Sequence, residues 1–214
     1  MAWTAPSTWV AGAILTAAQL NTQLRDNLLA GGPIYATEAL RDAAITSPFE
    51  GQRAYITGST VAAATGEFMA VPTGIQTIYN GSSWVSITPV GARTSNTGTT
   101  TSASYTATLS GSPGTNPTVT LTTGTTALVS IATHMNNSGG GQSCMSFAVS
   151  GATTVAASDA YDVESTTSSA YSTVCRTFIL TALTAGTNTF TLQYRAGSNT
   201  CQVAHRCLTV QGIA

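Results

Sequence analysis

The alternation of apolar and polar residues is clearest in the C-terminal half of the chain. Apolar residues alternate with polar or small residues at 118–122, 144–149, 190–194 and 208–210, and clusters of Gly, Ser and Asn lie between these segments. A period of two indicates β-strands that turn one face toward a core. The pattern therefore predicts an antiparallel β-sandwich over residues 102–214. Roughly seven or eight strands fit, in a jelly-roll or an immunoglobulin-like topology.

A helical period replaces this pattern near the N-terminus. One stripe of a predicted helix over 16–30 is formed by Leu20, Leu24 and Leu28. Thr16 and Gln19 form a capping box, and the Gly-Gly-Pro sequence at 31–33 ends the helix. A helix of this length is marginal alone in water. We therefore predict that residues 1–33 are an anchoring segment that docks on a partner.

This predicted helix has two possible kinds of partner. In a coiled-coil register the a and d positions are Ala17, Leu20, Leu24 and Asn27. A polar Asn27 on such a seam would specify register and oligomer number. The alternative is a helix packed on the surface of a different protein.

The middle of the chain, residues 34–90, is predicted to be a small α+β hairpin module. It contains a short helix at 37–45, a strand at 52–57 and a hairpin at 75–87 whose turn is Asn80-Gly81. Trp84 is expected to be a cross-strand packing anchor of this hairpin. Because a lone hairpin is unstable, the module must lean on the N-terminal helix or on neighbouring chains. The Thr, Ser, Gly and Asn residues at 91–101 are typical of a linker.

The composition is poor in charge. Charged residues make up 7% of the 214 residues, Lys is absent, and the formal net charge is -1. Low charge suits a protein that packs against other copies or proteins, but a biased genome would also produce it. Without a basic patch the chain is not expected to bind nucleic acid. It also has no secretory signal and no apolar run long enough to insert into a membrane, which predicts synthesis in a cytoplasm.

The four cysteines lie in the C-terminal part of the chain, at Cys144, Cys175, Cys201 and Cys207. They lack the spacing of a zinc site. Two states are open: three possible disulfide connectivities if all four pair, or reduced thiols.

Few residues point to catalysis. His134 and His205 lie at alternating strand positions and are expected to be hydrogen-bonded surface or interface residues. Asp159, Asp162 and Glu164 form the acidic cluster of the β domain, which would suit a glycosidase or a calcium site but is more typical of a solvated loop. No nucleophile elbow or phosphate-binding glycine loop occurs. We therefore predict no enzyme activity, no catalytic residue, no metal and no cofactor.

Two tyrosines are candidates for contacts at a distal surface. Tyr161 and Tyr171 flank the Ser/Thr-rich stretch at 165–169. Rim tyrosines offer amphipathic contact area at low entropic cost. Packing within the fold is the alternative for both.

One motif runs from Trp9 to Asn21 (WVAGAILTAAQLN) and continues with LRDNL at 24–28. A second motif joins AITSPFEGQRAY at 44–55 to IYNGSSWV at 78–85. Both motifs resemble structural proteins of tailed bacteriophages, particularly minor tail proteins and related virion appendages of phages that infect actinobacteria. The C-terminal half is similar in style to the trimeric jelly-roll heads of such proteins, notably at 183–190 and 206–210.

The resemblance implies a non-enzymatic virion component, made in the host cytoplasm and assembled into the phage particle. The N-terminal segment would anchor it, and the β-sandwich would project as a homotrimer. The residues assigned to anchoring and oligomerisation are Trp3, Trp9, Leu20, Leu24, Asn27 and Leu28.

Three roles then differ in their partners. A minor tail protein would occupy threefold or sixfold positions on the tail and contact the host surface, possible glycans included. A capsid decoration protein or head fibre would occupy many lattice positions on the shell. A lectin or carbohydrate-active enzyme is suggested by the jelly-roll style alone.

Overall fold

The computed structural model of this protein describes residues 16–20, 32–59, 62–168 and 170–213. In that part of the chain the helices are α1 (Ala17–Leu20), α2 (Glu38–Ala44) and the 3-10 helix η1 (Asp159–Tyr161). The strands are β1 (Ile34–Tyr35), β2 (Arg53–Ile56), β3 (Ala63–Thr65), β4 (Phe68–Ala70), β5 (Ile75–Tyr79), β6 (Trp84–Ser86), β7 (Val90–Thr94), β8 (Gly98–Thr100), β9 (Ser110–Gly111), β10 (Thr118–Thr123), β11 (Thr126–Asn137), β12 (Ser143–Gly151), β13 (Val163–Ser165), β14 (Ser172–Leu180), β15 (Gly186–Ala196) and β16 (Cys201–Ile213). The chain is mainly β, as the alternation predicts.

The first five residues of the predicted helix 16–30 are described: Thr16 precedes α1, which spans Ala17–Leu20. The rest of that helix lies outside the described residues. Within the described ranges, no helix has the length and apolar character needed to span a membrane.

The small module is a four-stranded sheet, β1-β2-β5-β6, with α2 packed on it. Thr37 caps α2, because its hydroxyl accepts a hydrogen bond from the Leu40 amide (3.3 Å). The predicted hairpin is confirmed, and in its turn the Asn80 side chain accepts from the Ser83 amide (2.9 Å). Trp84 is buried and packs across the hairpin, as the sequence predicts. Its ring lies edge-on to Tyr79 at 5.6 Å, and the Arg41 guanidinium lies over it at 4.6 Å.

Two antiparallel sheets form the sandwich. The first sheet has the order β13-β12-β15-β10-β3, and the second has the order β14-β11-β16-β7-β4, with β8 and β9 attached beside β16. Inward residues alternate with outward ones along β10, β11 and β15, which confirms the predicted period of two. Fully buried side chains of both sheets, such as Phe147, Phe190, Val129 and Val210, form the core between them.

The linker predicted at 91–101 is wrong. Val90–Thr94 pairs with β16 along its length, and Gly98–Thr100 pairs with the start of β16. Threonine suits a strand as well as a loop, and Val90 and Ala92 are buried in the core, so composition alone misjudged the segment. β3 and β4 also join the two large sheets, so the sandwich begins well before residue 102.

The sandwich has two distinct ends. At the module end, Gly186 of β15 pairs with Thr123; at the loop end, Ala196 pairs with Ser143. At about 3.3 Å per residue, the length of β15 separates these ends by roughly 30 Å. The turns 138–142, 166–171 and 197–200 lie at the loop end, because the strands that they join end there.

The module meets the sandwich backbone directly at the module end. A Cβ atom at Gly124 would lie 3.1 Å from a methyl group of Val85, and one at Gly212 would lie 2.5 Å from the Ser86 carbonyl oxygen. The Gln211 side chain also donates to the Ile87 carbonyl at 2.8 Å. Glycine is therefore required at Gly212, where a Cβ atom would meet backbone, whereas at Gly124 a Cβ atom would displace only side-chain atoms of Asn80 and Val85.

A segment that we call the strap, residues 102–117, extends the first sheet toward the loop end. Thr106 and Tyr194 exchange two backbone hydrogen bonds, and the Ala196 amide donates to the Ser102 carbonyl. Beneath the strap lies Arg206, which is fully buried. It donates to the Tyr194 hydroxyl (3.0 Å) and to the Pro113 carbonyl, so it fixes the strap to the core.

Candidate functional site

The acidic cluster noted in the sequence comes together at the edge of the first sheet near the loop end. η1 carries Asp159, and Asp162 directly follows it. β13 places Glu164 opposite Cys144, and β15 places Arg195 opposite Cys144 on the other side. The strap supplies Tyr105. These six residues are called the polar cluster below.

Tyr105 and Arg195 bind the two aspartates. The Tyr105 hydroxyl lies 2.9 Å from Asp159 Oδ1 and 3.1 Å from Asp162 Oδ2. The Arg195 guanidinium donates to the same Asp159 oxygen at 2.9 Å and lies over the Tyr105 ring at 5.4 Å. The polar cluster is thus a network in which the Arg195 guanidinium and the Tyr105 hydroxyl both donate to Asp159.

Burial determines the protonation of this cluster. It raises the pKa of the Cys144 thiol to about 12, despite the neighbouring Arg195. It also raises the pKa of Asp162 above its ordinary value of 3.8, against the opposing hydrogen bond from Tyr105. For Tyr105, burial first and the hydrogen bond to Asp159 second raise the pKa. Cys144 is therefore a neutral thiol at pH 7 and a poor nucleophile.

One group of donors has a separation that a metal ion could bridge. Within the described ranges, the ligand atoms of Cys144, Asp162 and Glu164 lie within 4.8 Å of one another. However, Gln142 donates to Glu164, and Arg195 donates to the Cys144 sulfur at 3.3 Å. A guanidinium at this sulfur and a raised thiol pKa both disfavour a bound cation. The group does not fit a metal centre or the calcium site considered from the sequence.

Two shallow grooves flank Asp159. The first lies between the strap and the first sheet, and its polar lining is Ser104, Tyr105, Ser158, Asp159, Gln193 and Arg195. The second lies between η1, β13 and β14, and its polar lining is Asp159, Asp162, Glu164, Thr173, Cys175 and Arg176. Both grooves offer hydrogen-bond donors and acceptors next to a sheet. The first groove also contains the Tyr105 side chain of the strap.

The two candidate tyrosines have different surroundings. Tyr161 is half-buried, and its ring lies 5.7 Å from Phe147 and 5.9 Å from Phe178. Tyr171 is 45% exposed and lies in the turn before β14, at the loop end. Packing therefore accounts for Tyr161, whereas Tyr171 is accessible.

The proposed anchoring residues lie almost entirely beyond the described part of the chain. Trp3, Trp9, Leu24, Asn27 and Leu28 lie outside the described residues. Leu20 is the last residue of α1, and its side chain is also outside the description.

All four cysteines are free thiols. Cys144 and Cys201 are buried, and Cys175 and Cys207 lie on the outer face of the second sheet. Of the two states that the sequence leaves open, the structure has the reduced one.

Comparisons with known proteins give weak structural neighbours. No protein-family model matches the sequence, and a comparison with curated proteins gives no match. Eiger TNF from S. frugiperda is 10% identical, with 58% of this chain and 92% of that chain covered and a TM-score of 0.37. CBM35 of Abf62 from Cellvibrio japonicus is 15% identical (59% and 95% covered, TM-score 0.30). The CBM22-1 xylan-binding domain of Xyn10C from Paenibacillus barcinonensis is 12% identical (55% and 88% covered, TM-score 0.26). Similarity this low supports no inference about function.

Proposed function

We propose that this protein is a structural component of a tailed-bacteriophage virion, most in keeping with a minor tail protein. The support from sequence is the resemblance at 9–28, 44–55 and 78–85. The single structural observation that carries the proposal is the separation of the two ends of the sandwich. The module with the IYNGSSWV motif is built against one end, and the grooves lie toward the other.

This arrangement suits a protein that is held at one end and presents the other. Residues 1–33 lead into β1 of the module, so an anchor in that segment would hold the module end against the particle. The loop end, with Tyr171 and the polar cluster, would then face outward. In this role the polar cluster is structural and not catalytic, because its thiol is neutral and its Arg195 is engaged with Asp159.

The proposed homotrimer would use the module-end half of the outer face of the second sheet, which leaves the loop-end half uncovered. Along β14, β11 and β16 this half presents Leu128, Ser130, Thr177, Thr209 and the 66% exposed Ile179, none of which is ionisable. Uncharged sheet faces can pack on copies of themselves without desolvating ions. Light scattering on the purified full chain tests this, since a monomer at micromolar concentration would contradict the trimer.

Location in the virion is tested by labelling the particle. An antibody fragment against the loop end, imaged on intact particles, should appear on the tail in few copies. Labels at capsid lattice positions would favour the alternative, a capsid decoration protein or head fibre. Absence of the protein from purified particles would overturn both.

Anchoring is tested by substitutions in the predicted leucine stripe. Leu20→Asp with Leu24→Asp should abolish incorporation into particles, because a charge on this stripe opposes docking. Thr22→Asp is the matched control, since a helix would place residue 22 on the opposite face. Equal incorporation of both variants would remove the anchoring role.

A host-surface role would place a hydroxyl-rich ligand, such as a cell-wall glycan, in the first groove. Ala148→Gln would fill this groove from the outer face of β12, and Ser150→Gln two residues along the same face is the control. A glycan array with the full chain should show binding that only Ala148→Gln removes. Binding to no host glycan would leave the structural role alone.

A further inference from the structure

A pair of histidines lies on the outer face of the second sheet, away from the polar cluster. His134 of β11 and His205 of β16 have ring centroids 4.7 Å apart, at an interplanar angle of 52°. His205 is exposed and His134 is half-buried. Among the residues that the structure describes, neither imidazole forms a side-chain hydrogen bond, which differs from the hydrogen-bonded state expected from the sequence.

A β-bulge lies beside this pair. Between the partners Ala132/Cys207 and His134/Ala204, β11 has one residue and β16 has two, so the register shifts. His205 takes the left-handed conformation (φ 49°) in the bulge. Regular alternation along β16 places Arg206 inward with its buried partners and His205 outward beside His134. A non-glycine residue is uncommon in this conformation, although Asn, Asp and His adopt it more often than the others, and bulges are frequent next to functional sites.

We propose that His134 and His205 together bind one divalent transition-metal ion of the Ni²⁺ and Zn²⁺ class. Imidazole nitrogen is a favoured ligand for these ions, with a metal–nitrogen distance of about 2.0–2.1 Å. Two imidazoles at this separation can converge on one ion through small rotations of their side chains. The pair would hold the ion by two protein ligands, and water would fill the remaining positions.

The surroundings limit the affinity. Within the described ranges, no third His, Cys, Asp or Glu has its ligand atom within 4.8 Å of both imidazoles. The nearby cation is Arg93, which shares a surface pocket with His205 and Cys207, and its guanidinium lies 4.6 Å over the Phe68 ring. A two-ligand site without orienting partners binds more weakly than a structural zinc site.

The test uses the full chain without a polyhistidine tag, freed of metal and kept reduced with a phosphine. Ni²⁺ and Zn²⁺ are titrated, since Cu²⁺ would oxidise the thiols. We expect saturable binding of one ion per chain. At about 100-fold excess over Kd the melting temperature should rise by roughly 5–10 °C. Ni²⁺ should broaden NMR signals around residues 134 and 205 only.

Three variants separate this site from its competitors. His205→Asn should lose binding at least tenfold with no loss of melting temperature, because Asn tolerates the left-handed conformation. His134→Gln should lose binding to the same extent. Glu164→Gln, in the other donor group, should leave binding unchanged. The proposal is overturned if the chain binds no ion, or if binding survives His205→Asn and His134→Gln but is lost in Glu164→Gln.

Discussion

Arg206 of β16 and Arg195 of β15 both contact the strap, but they differ in burial and in the charge of their partners. Arg206 points into the core, is fully buried and contacts only neutral groups. Arg195 points outward, and its side chain is 16% exposed and ion-paired with Asp159, which is 68% exposed. In a chain with so few charges, one arginine thus acts as a buried donor of hydrogen bonds and the other as a surface clamp. The expected costs of removing them differ accordingly.

The largest expected effect comes from truncating the buried arginine. Arg206→Ala should lower the free energy of unfolding by about 3–5 kcal/mol, because it leaves a cavity and removes the donor to the Tyr194 hydroxyl and the Pro113 carbonyl. Urea unfolding measures this. Arg53→Ala removes an exposed arginine and should change stability by less than about 0.5 kcal/mol. Equal losses in the two variants would show that Arg206 does not carry the strap.

A smaller effect is expected when the partner of the buried arginine is changed. Tyr194→Phe keeps the ring but removes the hydroxyl that accepts from Arg206, and should cost about 1–3 kcal/mol. Tyr171→Phe is the exposed counterpart and should be neutral. Arg206 also lies 3.5 Å from the Asn116 side-chain oxygen, so a neutral Tyr194→Phe would mean that Pro113 and Asn116 satisfy the guanidinium without the phenol.

The surface clamp should matter little for stability. Arg195→Gln should cost about 0–1 kcal/mol at low salt, and less as salt rises, because its ion pair with Asp159 is exposed to solvent. Urea unfolding at two salt concentrations measures both effects. A loss as large as that of Arg206→Ala would contradict the division between a buried donor and a surface clamp.

Two carboxyl groups should give stability profiles of opposite slope. Asp162 has a folded-state pKa above 3.8, so the folded chain binds more protons there, and stability falls as pH rises from 3.8 through the raised pKa. Glu67 accepts from the Ser95 amide at 2.7 Å, which lowers its pKa below 4.5. Its contribution is therefore present above pH 4.5 and is lost as pH falls through the lowered pKa.

Unfolding measured from pH 3 to 7 distinguishes these two groups. Asp162→Asn should flatten the decline of stability toward neutral pH, whereas Glu67→Gln should weaken the loss toward low pH. The same change of slope in both variants would contradict the assigned shifts.

Much of the fold could be predicted from local pattern. Period two identified the core strands, and the Asn-Gly turn located the module hairpin, because each depends on residues close in sequence. The linker at 91–101 was mispredicted, since threonine and glycine are common in loops, whereas here Gly91 and its neighbours pack against β16.

The candidate sites depended on long-range register, which local pattern does not reveal. Asp159, Asp162 and Glu164 were found as a cluster in sequence, but Tyr105 and Arg195 lie 54 and 36 residues from Asp159. The only signal for Arg195 was its outward position after the inward Tyr194. His134 and His205 lie far apart in sequence, and the pairing of β11 with β16 brings them together.

The glycine contacts at Gly124 and Gly212 have a mechanical consequence. The sandwich backbone at these two glycines is in direct contact with the hairpin of the module, so force can pass between the two parts at this junction. A pull on the turns at 138–142 or 197–200 would pass along the long strands and load the hairpin directly. Alanine at Gly212 would place its Cβ atom 2.5 Å from the Ser86 carbonyl oxygen and would push the module away from the sandwich.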